Sequence, residues 1–505
     1  MGWILVIEEN QAVYQEIADA LEEIDPKLEV VQFRNSTSFL NWMEKLQNQD
    51  PEISPAVPAD QFLGLITAID TWKLKDVRLI GKFKSLFVQK KMAEKEDDLF
   101  VVFTGYESPT FKKKRFEYKS VHNFIFKPFD KLLLKQMLDV AVKGRQAIKT
   151  HYTHVQKIKL QIEMLKEIQL SCIGELSFKT ISDKKVEIGT ISKYYADFFE
   201  TKQHRSALAQ VIGFNQPEGQ ALADVQLRFF ALDQAQSFNI QKLAQEHKTR
   251  RTLEGERGAL TDYEFVFVRH ETSALAAELM PSFERFYEHP IKELHSLADL
   301  DKWLKERPKP EVAKKLFVFV DHVHVAGNET AEIAGIQKTH GDRNLALFVL
   351  SPRIFSETLE TELGTVCEDI FYAPFNRSYI VKGLKIRWPG LANREDLFES
   401  VHEVQQTIHV STPVQLSEVS EAGLVMSYPR EIAIGTFREF VLWMPHEIEA
   451  PTLLAQCNFA EKAADGKSFD CHFVFFGLHE YELKFVRRWK LLQYVAEKQK
   501  SEGAG

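Results

Sequence analysis

The sequence predicts a multidomain chain in which two doubly wound α/β domains alternate with two small antiparallel β-barrel domains. Short apolar runs alternate with helical patterns over residues 1–131 and again over 262–390, as in parallel sheets covered on both faces. Short strands with little helix fill 169–250 and 409–498. The chain also repeats itself. Phe126-Lys127-Pro128-Phe129-Asp130 returns as Tyr372-Ala373-Pro374-Phe375-Asn376, Ile188-Gly189-Thr190 as Ile434-Gly435-Thr436, and the string from Leu227 to Leu232 as that from Phe473 to Leu478, all displaced by 246 residues. Three matches at one spacing imply that each half holds whole domains rather than a solenoid unit.

In order along the chain, Trp3 to Ile7 reads as a buried first strand, with further strands at Phe62–Ile66, Leu99–Phe103 and Asn123–Phe126. Val13–Ile24 reads as an amphipathic helix between the first two. Residues 132–168 read as a helical linker, because Ala141, Ile148, Val155 and Ile162 recur every seven positions. Such a helix either packs on its own domains or forms a short coiled coil that makes a homodimer; Arg145 and Lys159 on the companion positions weaken the second reading. His247–Thr261 reads as a polar linker. Phe265–Val268, Leu316–Val320, Leu345–Leu350 and Asp369–Tyr372 are the strands of the second α/β domain. Residues 391–408 read as another linker, and a helix over about 479–498 ends the sequence.

The chain has 505 residues, 44% hydrophobic and 27% charged, with a net charge of −8. Ordinary cores are possible without staples, and the acidic balance speaks against broad nucleic-acid binding or adhesion to anionic membranes. Cys172, Cys367, Cys457 and Cys471 lack CxxC spacing and read as reduced, buried thiols of a cytoplasmic protein. No apolar stretch approaches the roughly 20 residues of a membrane span, so no membrane insertion is expected.

The residues at the predicted strand ends carry a resemblance. Glu8 and Glu9 follow the first strand, Thr104 ends another, and Lys127-Pro128 follows the last. In the second copy Asp321, Ser351 and Ala373-Pro374 stand in corresponding places. In this pattern the α/β domains resemble response-regulator receiver domains. The resemblance implies an acidic pair for Mg²⁺, a phosphoacceptor aspartate, a Thr/Ser hydroxyl and a lysine that stabilises the phosphoryl oxygens. It also implies that each copy is damaged. In the first, Thr67 occupies the acceptor position, and a threonine hydroxyl without a base is a poor nucleophile; Asp70 is the alternative acceptor. In the second, Arg269 and His270 replace the acidic pair and Ala373 replaces the lysine. Arg269 is expected to pair with Asp321. Both domains therefore read as pseudo-receivers that take no phosphoryl group.

The β-rich segments resemble PilZ domains, on the SxxG strings Ser171 to Gly174 and Ser420 to Gly423 and on the closing strands. The resemblance makes these four residues candidate ligand contacts, with an ordinary strand-end turn as the plain alternative. It departs from the family where it matters. The family grips cyclic di-GMP with an RxxxR segment ahead of the barrel, and lysine does not replace the arginine fork. Between Glu395 and Val419 there is no Lys or Arg, and before the first barrel only Lys157, Lys159 and Lys166 are near. Gln169 and Glu418 occupy the motif's Asp/Asn position. The missing arginines speak against cyclic di-GMP binding in the family's manner.

His322 and His324 have one-face spacing but no companion ligands, so no metal or cofactor is expected. Lys112-Lys113-Lys114-Arg115 is either a solvated helix face or a contact for an acidic protein. No nucleophile–base set or phosphate loop is present. The expected function is a non-catalytic signalling or scaffold protein that binds protein partners; a sensor of cyclic di-GMP or another small anion is the alternative.

Overall fold

In the computed structural model, residues 2–502 are described, except 49, 51–60, 70–78, 92, 94, 96–98, 108–120, 144–154, 184, 203, 217–221, 246–248, 253–261, 288, 290, 308–313, 325–328, 341–343, 392–396 and 444–449. The chain forms two compact units, one of Met1–Leu165 with Thr412–Gly505 and one of Lys166–Ser411. Each unit joins an α/β layer from one half of the sequence to antiparallel strands from the other half.

In the first unit the parallel strands are β1 (Gly2–Ile7), β2 (Glu29–Phe33), β3 (Gln61–Ala68), β4 (Phe100–Tyr106) and β5 (Asn123–Lys127), in the order β2-β1-β3-β4-β5. This is a doubly wound order that places its functional crevice at the strand C-termini. The described helices are α1 (Gln11–Ile24), α2 (Ser36–Asn48), α3 (Leu79–Gln89) and α4 (Lys131–Lys143). Asn10 caps α1, its side chain accepting from the Ala12 and Val13 amides. Trp3, Trp42, Phe62, Phe83 and Phe87 form an aromatic core under the sheet.

The long strand β6 (Gln156–Gly174) comes next, its first ten residues in the first unit and the rest in the second. It corrects the linker helix expected over 132–168. Ile158, Leu160, Ile162 and Met164 alternate with Lys157, Lys159, Gln161 and Glu163, and this period of two outweighs the coarser spacing of seven. The expected coiled-coil seam is therefore not an element of the described structure.

The second unit holds β7 (Ser177–Ser182), β8 (Ile191–Tyr195), β9 (Ser206–Asn215), β10 (Ala223–Phe230), α5 (Gln234–Gln245) and β11 (Thr249–Thr252). Its parallel sheet runs β13-β12-β14-β15-β16, from β12 (Tyr263–Val268), β13 (Ile291–Leu294), β14 (Lys315–Asp321), β15 (Leu345–Ser351) and β16 (Asp369–Tyr372). Its helices are α6 (Leu275–Phe286), α7 (Leu297–Glu306), α8 (Glu329–His340), α9 (Glu357–Leu363) and α10 (Arg377–Arg387). Strand β17 (Phe398–Val419) then passes from the second unit into the first. Two expected linkers are thereby corrected. Residues 249–252 pair with 398–401 as antiparallel neighbours, because Val404, Ile408, Val410, Val414 and Leu416 alternate along an extended strand. The first unit closes with β18 (Gly423–Tyr428), β19 (Phe437–Val441), β20 (Thr452–Lys462), β21 (Phe469–Phe475) and α11 (Glu480–Glu502).

The antiparallel layers are built alike. In the first unit β18 pairs with β17 and β21, β20 with β21 and β19, and β19 with Glu163–Leu165 of β6. In the second, β7 pairs with β6 and β10, β9 with β10 and β8, and β8 with His409 and Val410 of β17. Each layer thus takes one half-strand from the other half of the chain. The turns repeat as well: Gly189 (φ 95°) and Gly435 (φ 86°) adopt the left-handed conformation that glycine allows, and their amides donate to Val211 O and Cys457 O.

Within the second unit the β16 edge meets the antiparallel layer through ions. Arg228 donates to Glu368 Oε2 at 2.5 Å, and Arg387 is bonded to Asp369. Burial and the nearby Arg387 lower the Arg228 guanidinium to about 10, against the opposing pull of Glu368. Burial pushes Glu368 up, but Arg228, Arg387 and Lys315 hold it below the ordinary carboxylate value. A depressed folded pKa contributes stability that is complete above the unfolded value and is lost as pH falls through the folded one. Thermal melts are therefore expected to show the second unit weakening below about pH 4, with Glu368→Gln flattening that acid limb. An unchanged acid limb in the variant would refute the assignment.

Candidate functional site

Parallel pairing brings the ends of β1, β3, β4 and β5 together. Ile7 lies beside Thr67, Thr67 beside Phe103, and Tyr106 beside Lys127. Glu8, one residue beyond β1, is 3% exposed, and Lys127 at the end of β5 is 7% exposed. Their side chains form an ion pair at 2.7 Å. Glu8 Oε1 also accepts from the Asn10 amide at 3.0 Å. Thr67 and Thr104 are fully buried, and the Thr104 hydroxyl has no hydrogen-bond partner among the described residues. Glu9 is exposed and takes no part in the pair. Asp70 and the basic run 112–115 lie outside the described residues.

Four of the expected residues thus share one crevice: Glu8, Thr67, Thr104 and Lys127. One carboxylate and one ammonium are joined there in a dry place. The Thr67 hydroxyl stands where an acceptor carboxylate would be needed.

At the corresponding strand ends of the second unit the donors differ. Asp321, fully buried at the end of β14, accepts from the His270 amide through Oδ2 at 3.0 Å. Its Oδ1 has no hydrogen-bond partner among the described residues. Ser351 ends β15, its hydroxyl donating to Arg353 O at 2.5 Å. Ala373 follows β16 and supplies no side-chain donor; its amide donates to Ser351 O at 2.8 Å.

Arg269 does not pair with Asp321 as expected. It reaches Glu293 Oε1 at 3.1 Å, and its own amide donates to Leu294 O. Both residues belong to the β13 edge, so the side chain leaves the sheet on the far side from β14, and the His270 backbone turns inward in its place. The His270 ring meets Thr272 instead, at 2.8 Å. His322 and His324 lie in a short 3-10 turn after β14. No group of three or more His, Cys, Asp or Glu side chains suited to a metal ion occurs among the described residues.

The SxxG candidates resolve differently from each other. Ser420 is fully buried, and its hydroxyl accepts from the Ala422 and Gly423 amides at 3.1 and 3.0 Å, closing the turn between β17 and β18. Ser171 lies within β6, its hydroxyl donating to Lys179 O at 3.2 Å. Gly174 is a site of close approach, since a Cβ there would stand 2.3 Å from Glu399 Oε1. Glu399 is itself buried and accepts from the Leu176 amide and the Ser177 hydroxyl, both at 3.2 Å. These four residues serve the local framework.

Sequence reasoning missed the residues that join the layers. Asn123 donates to Phe475 O at 3.0 Å and accepts from the Gly477 amide at 3.3 Å. Asp369 accepts from the Ala231 amide at 2.7 Å. Both pairs are related by the 246-residue displacement, which would have aligned them, although it does not say which copy each residue meets. One cavity of about 320 Å³ lies between α5 and the start of α10, lined in part by Asp233, Phe238, Gln241, Phe375 and Tyr379.

No family model matches the chain, and no curated protein matches it. Among solved structures, a response regulator receiver domain protein from Clostridium thermocellum is 16% identical, with 29% of this chain and 94% of that chain covered and a TM-score of 0.20. A bacteriophytochrome response regulator is 17% identical, with 30% and 97% covered and a TM-score of 0.20. A two-component system response regulator/GGDEF domain protein is 10% identical, with 77% and 98% covered and a TM-score of 0.21. The chain is similar to these proteins at low identity and low score, and its two parallel sheets share the receiver strand order.

Proposed function

We propose that this chain is a non-catalytic signalling or scaffold protein whose activity is protein binding, built from two pseudo-receiver layers and two PilZ-like layers. The observation that carries the reading is the division of the phosphorylation set between the two parallel sheets. One sheet has the carboxylate and lysine, already paired with each other. The other has the aspartate and serine, without an acidic pair or lysine beside them. A phosphoryl group on Asp321 would gain neither metal nor ammonium to neutralise it.

Incubation with Mg²⁺ and a small phosphodonor is expected to leave the intact mass unchanged. Stoichiometric addition on Asp321 or Asp70 would overturn the reading. The sensor alternative gains little support from the β layers, where the Ser420 hydroxyl is committed to its own turn and arginines are absent from the segment ahead of β18. Calorimetry with cyclic di-GMP is expected to show no heat of binding, and saturable binding would favour the sensor. A protein partner has an apolar surface to use: Leu491, Leu492, Tyr494 and Val495 lie exposed along α11, a grouping that marks interaction sites. No helix of the described structure is long and apolar enough to cross a membrane.

A further inference from the structure

Both units dock their layers with the same apolar positions. Leu208, Phe230 and Ile191 pack on the second α/β layer, and the residues 246 further on, Leu454, Phe476 and Phe437, pack on the first. Apolar contact of this kind does not discriminate between two β layers so alike in shape.

The polar groups at the two seams are incompatible with exchange. In the first unit Asn123 both donates and accepts: its amide nitrogen donates to Phe475 O and lies 3.1 Å from Met137 Sδ, while its oxygen takes the Gly477 amide. In the second unit Asp369 stands in its place and only accepts. Arg387 bonds to it from α10, where Gly383 replaces the bulk of Met137; a Cβ on Gly383 would lie 3.3 Å from Arg387 Nη1. Beside this pair Arg228, its side chain 8% exposed, is held by Glu368. The corresponding residues of the first unit are Val474 and His122.

Exchange would therefore penalise both combinations. The β layer carrying Arg228, set on the first α/β layer, would bury a guanidinium against His122 and Asn123 in place of Glu368 and Asp369. The β layer carrying Val474, set on the second, would leave the Glu368 carboxylate facing a valine where Arg228 had been.

We infer that Arg228, Glu368, Asp369 and Arg387 decide which β layer each α/β layer accepts, and that the second α/β layer is a docking face for a β layer bearing an arginine at its seam. The inference concerns partner choice within and between copies of this chain, and it stands independently of whether the strand-end crevices bind phosphate.

The test uses the full chain with a protease site inserted between Thr252 and Asp262. The folded protein is cut, unfolded and refolded, so that the peptide link no longer dictates pairing, and native mass spectrometry reads the products. Crossed pairing yields a one-to-one complex of the two fragments; pairing within a half, or between two copies of a half, yields lone fragments or homodimers. The unsubstituted chain is expected to return the one-to-one complex alone. With R228V, E368H, D369N and R387A together, which supply the residues of the first seam, homodimers and lone fragments are expected to rise to about half, the share for partners of equal affinity. If that variant does not refold, charge reversal decides: R228E and E368R singly should each lose the exclusive complex, and the two together should restore it. Exclusive one-to-one pairing in the refolded quadruple variant, or in both single reversals, would overturn the inference, as would mixed products from the unsubstituted chain.

Discussion

Lys127→Ala is expected to destabilise the first unit by about 3–5 kcal/mol, the cost of stranding one member of a buried ion pair. Both side chains of the Glu8–Lys127 pair are only 4% exposed, so water cannot rescue the carboxylate left behind. Denaturant unfolding of the full chain should show an early transition for this unit, with that of the second unit unmoved. The neutral double variant Glu8→Gln with Lys127→Met should recover most of the loss, since replacing both charges removes the desolvation cost along with the attraction. An unshifted midpoint in Lys127→Ala would mean the pair contributes nothing. The same variant bears on the proposed function: if the pair holds one arrangement of the strand ends for a protein partner, partner affinity falls in Lys127→Ala and is regained in the double variant.

Gly174→Val is expected to cost on the order of 2–4 kcal/mol in the second unit, from overpacking and from buried donors left without their acceptor. The new side chain would claim the position of the Glu399 carboxylate, 2.3 Å from a Cβ at that site. Displacing Glu399 also removes the acceptor for the Leu176 amide and the Ser177 hydroxyl. Gly423→Val offers the comparison at the other SxxG. A melting temperature for Gly174→Val within a degree or so of the parent would sink this account of the motif and reopen a ligand role.

The central strands of both parallel sheets were legible because a strand covered on both faces must be apolar throughout. Trp3 to Ile7 and Leu345 to Leu350 show this directly. The edge strands escaped. Glu29–Phe33 and Ile291–Leu294 are only partly buried, and their polar residues kept them from standing out as apolar runs. Strand β6 was hidden for another reason: Ala141, Ile148 and Val155 lie ahead of it and only Ile162 within it, so a seven-residue spacing that suggested a helix was carried across its start. In the site, Glu8 and Lys127 were brought together as the receiver resemblance implies, whereas Arg269 was misplaced because a side chain leaving the end of β12 can turn to either neighbouring strand. The choice of Glu293 depends on an edge strand that the sequence did not reveal. The crossed association of the layers was not legible at all. A repeat shows which positions correspond, and it is the charge of Asp369 against the amide of Asn123 that tells the copies apart.

The crossed build gives the two units different histories during synthesis. When the second α/β layer leaves the ribosome, the strands that cover it, β7 to β10, have already been made. The first α/β layer ends at Lys143, but its cover is not complete until β21 at Phe475. At roughly 5–20 residues per second, that face, with Phe126 and Asn123 at its edge, waits on the order of 20–60 s for its partner strands. During that interval it is the part of the nascent chain most exposed to chaperones and to its neighbours on the same message.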